Sequence, residues 1–185
     1  MRLEKYIYCL EGVPDSATFE KTTTYKGLEQ LALQGIDSIY ATCDGIESLE
    51  ERIGILVYDD VHFKEYEIIY LVVQGDKNTL ELDGYSYTLG EIAELFEGKM
   101  KGKIIHFSNT KVLDLSQEEA QFFLDVSGAR AISGYGLDSV SLASLPLDQL
   151  FFSLCQDEHD LITVVELMHE KHYVACKALD FRLYY

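Results

Sequence analysis

The chain has 185 residues, of which 48% are hydrophobic and 25% are charged, and these proportions are those of a folded globular protein. Its 15 basic and 32 acidic residues give a formal net charge of −17, which repels phosphate groups and anionic lipid. General nucleic-acid binding and a polybasic membrane anchor are therefore excluded from the expected functions. The length predicts one domain over residues 1–185.

Secretion and membrane insertion are not indicated by the sequence. The longest apolar run, residues 68–73, is far shorter than the about 18 residues that cross a bilayer. The first residues lead into no signal-peptide pattern. The four cysteines are scattered without a paired motif, so we expect buried, reduced thiols. These features predict a cytoplasmic protein, of bacterial origin.

Short apolar runs alternate with amphipathic segments along the chain. The apolar runs have the length and continuous hydrophobicity of buried strands. A polar residue or a glycine follows each run, which is typical of the end of a strand. Strands are predicted at residues 6–10, 38–42, 68–73, 103–107 and 129–133, and an edge strand at 181–185.

Helices are predicted in the segments between these strands. Ser48 and Glu51 have the spacing of a capping box, which marks the start of a helix. Ser116 and Glu119 repeat that spacing further along the chain. Beyond residue 144 the sequence is predicted to be mainly helical.

The alternation of strands and helices predicts an α/β fold, with a mostly parallel sheet and helices on both faces. Asp83-Gly84 lies between two alternating runs, which predicts a β-hairpin near residues 79–88. Ligands of parallel α/β sheets bind beyond the carboxyl ends of the strands. Five places meet this rule: residues 11–12, 43–44, 74–76, 108–110 and 134–135.

Five segments of the chain carry a resemblance to a known family. They are YIYCLEG at 6–12, IIYLVVQG at 68–75, GKIIHFSNTKVL at 102–113, FLDVSGARAISGY at 123–135 and SLPLDQLFFSL at 144–154. In this order the segments resemble a group of bacterial proteins with a caspase-like fold, related to the CHAT-type cysteine peptidases. The resemblance implies a caspase-like three-layer sandwich.

The same resemblance implies where the peptidase dyad would stand. Active members have a His-Gly step after the third strand and a nucleophilic cysteine after the fourth. Here Gln74-Gly75 and Thr110 stand at those positions, and a slip of one residue would place Asn109 there. A glutamine amide is no base near neutral pH, and threonine without a base is a poor nucleophile. The resemblance therefore implies a pseudo-peptidase, which binds a protein, a peptide or a small ligand without cutting it.

The predicted binding site lies at the carboxyl ends of the strands. Acidic residues at this edge, Glu11, Asp44 and Asp76, would favour a basic or amine-bearing partner. The predicted ligand-binding residues are Glu11, Gln74, Gly75, Asp76, Ser108, Asn109, Thr110 and Tyr135.

An alternative function is a cysteine or threonine hydrolase with a rearranged site. His106 would be its base, and Thr110, Cys9 or Cys43 its nucleophile. A histidine inside an apolar strand is more often a hydrogen-bonded core residue. An imidazole nitrogen within hydrogen-bond reach of Thr110 or a cysteine would favour the enzyme, whereas a ring buried below the end of the sheet would exclude it.

A third alternative is a structural or self-associating protein. Tyrosine is enriched at protein interfaces, and Tyr85 and Tyr87 follow the predicted hairpin turn. The strand at 181–185 could pair with a second copy, so a homodimer is possible. No cofactor is expected, since the chain has no phosphate-binding glycine loop. No metal is expected either, because four candidate ligands match no zinc spacing: His159, His169, His172 and Cys176.

Overall fold

Eight strands are present in the part of the chain that the structure describes. The computed structural model describes residues 6–14, 21–137 and 143–185, and only the backbone of residue 6 and of residues 109–111. The strands are β1 Tyr6–Gly12, β2 Ser38–Cys43, β3 Tyr66–Lys77, β4 Thr79–Leu82, β5 Tyr85–Thr88, β6 Ile104–Val112, β7 Ala131–Tyr135 and β8 Phe181–Tyr184.

Six of these strands form one sheet, in the order β2-β1-β3-β6-β7-β8. The first five of that order are parallel to one another, and β8 is antiparallel to β7 at the edge. Strands β4 and β5 form a separate antiparallel hairpin. At its turn, Asp83 and Gly84 have φ angles of 50° and 76°, a conformation typical of these residue types in tight turns. The predicted α/β class, the hairpin and the C-terminal edge strand are confirmed.

Seven α-helices connect the strands in the described residues. Ser116 caps α4 and forms a capping box with Glu119, as predicted. Helix α2 begins at Ile46 instead of after Ser48, whose hydroxyl accepts from the backbone N–H groups of Asp44 and Gly45. The helices are α1 Thr23–Leu33, α2 Ile46–Gly54, α3 Leu89–Leu95, α4 Gln117–Ser127, α5 Leu145–Asp157, α6 Leu161–Lys171 and α7 Tyr173–Leu179.

The main sheet separates two apolar cores. Helices α2, α3 and α4 cover one face, and we call this side the α3 face. Helices α1, α5, α6 and α7 cover the other, which we call the α5 face. Because alternate side chains of a strand point to opposite faces, the continuous apolar run at residues 68–73 supplies both cores. None of the described helices is long and apolar enough to cross a membrane.

Four of the five predicted strand ends are wrong. Residues 11–12 lie within β1 and residues 134–135 within β7. Residues 74–76 and 108–110 are not loops, because β3 continues to Lys77 and β6 to Val112. The parallel ladder resumes after an irregularity beyond Val72, with Gly75 opposite Thr110. Apolar character marks where a strand is buried, whereas its ladder extends as far as the neighbouring strand offers partners. Strand β3 therefore carries the exposed residues Gln74 and Asp76 beyond the core, whereas Ser108 of β6 is buried.

Candidate functional site

A groove of about 990 Å³ lies at the carboxyl ends of β1, β2 and β3. The chain that follows β1 and β2 forms one wall, and the β4-β5 hairpin forms the other. Gln74, an exposed residue of β3, lies between them. We call this feature the acidic groove, since four carboxylates and two tyrosines line it: Asp44, Glu47, Glu81, Asp83, Tyr85 and Tyr87.

The charged side chains that line the acidic groove are all negative among the described residues. All four carboxylate residues are exposed, and no lysine, arginine or histidine lies among the described lining residues. The Ser48 hydroxyl donates to Asp44 Oδ1 at 2.7 Å, which fixes one carboxylate at the start of α2. A concave surface lined by charges of one sign concentrates counter-ions. The groove therefore attracts cations.

Gly75 allows the hairpin to fold over the end of the sheet. A Cβ atom at this position would lie 1.9 Å from the carbonyl oxygen of Thr79, closer than any contact can be. The Asp76 N–H donates to Thr79 Oγ1 at 3.1 Å, which holds the start of the hairpin against β3. The close approach at Gly75 thus places the second wall of the groove.

Gln74 and Thr110 lie on neighbouring strands. Gly75 is the register partner of Thr110 in the β3-β6 ladder, and Gln74 immediately precedes it. Asp76 is exposed, one residue further along β3. The side chains of the predicted binding residues Asn109 and Thr110 lie outside the described part of the structure.

Glu11 does not line the groove. Its carboxylate is buried on the α5 face, where Oε1 accepts from Tyr40 at 2.5 Å and from Thr22 Oγ1 at 2.6 Å. Glu11 follows Ile7 and Cys9 at two-residue spacing, so strand alternation directs it to their side of the sheet. Burial and the bond to Glu11 raise the pKa of Tyr40. The Glu11 carboxylate is therefore not part of the acidic groove.

His106 lies at the centre of a second polar site, inside the α5 face. Its ring is fully buried. Nδ1 is hydrogen-bonded to Ser133 Oγ at 2.7 Å, and Nε2 to Asp148 Oδ1 at 2.6 Å. Strands β6 and β7 position the first two residues, and α5 brings Asp148 onto them.

Asp148 also accepts hydrogen bonds from three hydroxyl groups. Tyr70 donates to Oδ2 at 2.7 Å, Ser108 donates to the same oxygen at 3.0 Å, and Tyr135 donates to Oδ1. Burial and the Asp148 carboxylate raise the pKa values of Tyr70 and Tyr135 well above that of an ordinary tyrosine. We call this site the buried polar cluster; it comprises Tyr70, His106, Ser108, Ser133, Tyr135 and Asp148.

Two predicted ligand-binding residues belong to this cluster instead of the groove. Ser108 and Tyr135 are 2% and 3% exposed, and the hydroxyl group of each donates a hydrogen bond to Asp148. Both side chains point to the α5 face, because they alternate with residues of the opposite face along β6 and β7. In the described structure they are closed to a ligand.

The cluster contains the residue types of a hydrolase triad but not its accessibility. Ser133, His106 and Asp148 are hydrogen-bonded in series, yet each is 0% exposed. A nucleophile needs an open position beside it for the reacting carbon. Neither ring nitrogen is directed to a cysteine, because Ser133 and Asp148 occupy both. The cluster therefore ties α5 to the sheet.

Asp148 is the residue that sequence reasoning missed. It stands in the apolar segment LPLDQLFFSL, three and four residues before Phe151 and Phe152, which are buried. Helical spacing places these residues on one face. An acid on the buried face of a helix requires a polar partner, and His106 inside an apolar strand has the same need. Those two anomalies together were the available signal.

The cysteines are buried free thiols, as predicted. Burial raises the pKa of Cys43 to about 11. Burial, together with the charges of Glu11 and Asp148, raises the pKa of Cys9 well above its ordinary value. Both thiols are therefore protonated and weakly nucleophilic near neutral pH. Within the described residues, no group of three or more His, Cys, Asp or Glu side chains is placed to hold a metal ion.

The fold and the site together define a class of protein. It is an α/β protein with a six-stranded, mostly parallel sheet and an acidic groove at the carboxyl ends of its strands. Residues 4–185 match the model of a Family of unknown function (DUF6642), so the chain belongs to that family. The chain has no significant match among curated proteins.

Proposed function

We propose that this protein is a binding protein whose acidic groove takes a cationic segment of a protein or peptide. One observation carries the proposal. A groove of about 990 Å³ has four exposed carboxylates on its walls and no cationic side chain among its described lining residues. Ammonium and guanidinium groups are the complementary ligands, and guanidinium pairs with carboxylates through two parallel hydrogen bonds.

The two tyrosines add a second mode of contact. Tyr85 is 67% exposed and lies beside Asp83, so a bound cation could meet a ring and a carboxylate together. Cations bind over tyrosine faces with about 0.5–1 kcal/mol at exposed sites. The net charge of −17 would also steer a cationic partner towards the protein.

The lining favours binding over catalysis. A general base with a pKa near the working pH and an activated nucleophile are both needed for acyl transfer. Gln74 supplies an amide, and the raised pKa of Cys43 leaves its thiol protonated. The described lining thus offers charge and shape without a nucleophile and base pair.

The caspase-like identity is part of this proposal. In that family the two dyad positions follow the third and fourth strands, and here Gln74 and Thr110 lie on the neighbouring parallel strands β3 and β6, with Gly75 opposite Thr110. The central parallel sheet with helices on both faces supports the same assignment. We therefore assign the protein as a pseudo-peptidase, which retains the position of the peptidase site for binding.

The alternative, a hydrolase that uses His106, is favoured by the series Ser133, His106 and Asp148. Because all three are fully buried, α5 would have to leave the sheet before a substrate could reach them. A fluorophosphonate probe labels activated serine hydroxyls and tests this. We expect no labelling. If the wild type is labelled and Ser133→Ala is not, the protein is a hydrolase and the proposed binding function is wrong.

The binding function is tested with a capped triarginine peptide and isothermal titration calorimetry. The groove variant Glu47→Gln/Glu81→Gln/Asp83→Asn should weaken its binding by about tenfold or more, since three facing carboxylates are lost. The control variant is Asp125→Asn/Glu166→Gln/Glu170→Gln, which removes three exposed carboxylates elsewhere and has the same net charge. Equal weakening by both variants would show non-specific attraction and overturn the proposal.

A further inference from the structure

Strand β2 is an edge of the main sheet and pairs only with β1 among the described strands. Natural edge strands are usually guarded against further pairing by charged residues, prolines or bulges. The sequence of β2, SIYATC, contains no charged residue and no proline, and its register with β1 is regular. The opposite edge differs, because β8 carries Arg182, bound to Asp114 and Asp180. No residue of β2 itself guards its edge, and from outside the strand Arg52 of α2 covers only the Thr42 carbonyl.

The backbone of β2 presents free hydrogen-bonding groups. The Asp37 carbonyl accepts from the Ile7 N–H of β1 at 3.1 Å, and the Cys43 carbonyl accepts from the N–H of Val13, directly after β1, at 2.8 Å. Because N–H and C=O groups alternate in direction along a strand, those of Ser38, Tyr40 and Thr42 point to the outer edge. Arg52 Nε donates to the Thr42 carbonyl at 3.2 Å. In the described part of the chain, the outward backbone groups of Ser38 and Tyr40 have no partner.

The side chains around this edge leave room for another strand. Ile39 is 48% exposed, although it points to the α3 face, where its strand neighbours Ala41 and Cys43 are packed in the core. An added strand would lie beside Ile39 and cover part of its apolar surface. Exposed apolar surface and free backbone groups therefore coincide at three consecutive residues, Ser38, Ile39 and Tyr40.

The charges around β2 determine which kind of strand can pair with its outer edge. Asp37 precedes β2 and Asp44 follows it, and both are exposed. If two copies paired through β2 in an antiparallel, two-fold arrangement, Asp37 of one copy would lie close to Asp44 of the other. Two chains of charge −17 would also repel each other. A second copy is disfavoured, whereas a cationic extended peptide finds Asp37 before the strand and Asp44 after it. Arg52, on the Thr42 carbonyl, is the cation at this edge that the peptide must pass.

The edge is continuous with the acidic groove. Cys43 is the last residue of β2 and lines the groove, and Asp44 and Glu47 follow it along the same wall. A peptide that pairs with Ser38 and Tyr40 and extends past the carboxyl end of β2 would therefore enter the groove.

We propose that β2 is the docking strand for an extended cationic peptide, which adds to the sheet through the outer backbone groups of Ser38 and Tyr40 and continues past Arg52 into the acidic groove. The second part of this proposal rests on the proposed function. Backbone hydrogen bonds would supply affinity for any extended segment, and the carboxylates would select basic ones. The partner class is thus a basic segment without fixed structure, and not a folded acidic surface.

The protein-side test is Ser38→Pro, titrated with the capped peptide Lys-Val-Lys-Val-Lys-Val. Proline removes the outward N–H at the first residue of an edge strand, a position where proline is tolerated. We expect the affinity for this peptide to fall by about tenfold or more, with triarginine binding in the groove unchanged. Ser38→Ala keeps the N–H and is the matched control, with no expected loss. Equal affinity of Ser38→Pro and the wild type would overturn strand addition and leave the groove function standing.

The peptide-side test needs no protein variant, so it decides the question even if Ser38→Pro fails to fold. Two isomers of the peptide carry N-methyl groups on the lysines alone or on the valines alone, and each blocks one edge of the peptide strand. Strand addition predicts that one isomer loses its affinity and the other retains it. Similar affinities of the two isomers, or no binding of the unmethylated peptide, would overturn the proposal. Loss of triarginine binding as well would mark a failure of the proposed function itself.

The remaining occupant, a second copy, is tested by sedimentation of the protein alone. We expect a monomer at all concentrations. A dimer that dissociates in Ser38→Pro would show that the edge serves self-association, and would overturn the peptide proposal.

Discussion

The buried polar cluster and the acidic groove differ in their residue types and in their exposure to solvent. The cluster has a histidine, an aspartate and four hydroxyl groups, hydrogen-bonded to one another and closed to solvent. The groove has four carboxylates and two tyrosines, open to solvent. The residue types that suggest catalysis are thus closed to a ligand, and the residue types that suggest only charge are open to one.

The difference shows that residue chemistry alone does not locate a site. His106 and Asp148 satisfy each other in a medium of low dielectric, where an unpaired polar group would cost several kcal/mol. Their pairing stabilises the position of α5 on the sheet. In the groove, water screens each carboxylate, so the same kind of group adds little to stability and remains available to a partner.

The largest expected effect comes from breaking the cluster with Asp148→Ala. The substitution leaves His106 and three hydroxyl groups without their acceptor, so the free energy of unfolding should fall by about 3–5 kcal/mol. Urea denaturation measures this change. Asp125→Ala removes an exposed aspartate and should stay within about 0.5 kcal/mol of the wild type. A similar small loss for Asp148→Ala would show that the cluster does not hold α5.

A smaller effect within the cluster is expected from Tyr70→Phe, with a distinct pH dependence. Loss of the hydrogen bond to Asp148 should lower stability by about 1.5–3 kcal/mol near neutral pH. The raised pKa keeps the Tyr70 hydroxyl protonated in the folded state, while the unfolded chain loses that proton above about pH 10. The folded state then binds more protons, so this contribution decreases as pH rises above about 10.

Unfolding free energies of both proteins between neutral pH and about pH 11 measure this dependence. Above about pH 10, Tyr70→Phe should lose stability less steeply than the wild type. Tyr85→Phe, at an exposed position, is the control and should follow the wild type. Parallel curves for Tyr70→Phe and the wild type would contradict the prediction.

The wall of the groove is tested by Gly75→Ala. A Cβ atom 1.9 Å from the Thr79 carbonyl forces the hairpin away from β3, and stability should fall by about 1–3 kcal/mol. Triarginine affinity should fall too, since Glu81 and Asp83 move with the hairpin. Gly54→Ala is the matched control: it has open space and helical angles, so about 0.4–1 kcal/mol of added stability is expected. Unaltered triarginine binding by Gly75→Ala would place the ligand elsewhere.

The smallest effect on stability is expected from the groove variant Glu47→Gln/Glu81→Gln/Asp83→Asn. Its unfolding free energy should stay within about 0.5 kcal/mol of the wild type, because these carboxylates are exposed. The same variant should lose most of its cation binding. A large loss of stability would contradict the division between a stabilising cluster and a binding groove.

Much of the fold was predictable because its signals are local. Asp83-Gly84 determines the hairpin turn through backbone conformation, and Ser116 with Glu119 caps α4 within one helical turn. The alternation of apolar strands with helices indicated a parallel sheet covered on both faces. The sequence likewise indicated that His106, inside an apolar run, is more often a core residue than a catalyst.

The tertiary structure decided the rest, since it depends on residues far apart in the chain. Strand register extended β3 and β6 beyond their apolar segments and set Gly75 opposite Thr110. The packing of α5 brought Asp148 to His106 across 42 residues of sequence. The cluster therefore enclosed Ser108 and Tyr135, and strand alternation turned Glu11 away from the groove. Composition and spacing determine which residues need burial or a partner, and only the packed sheet and helices determine which partner each one meets.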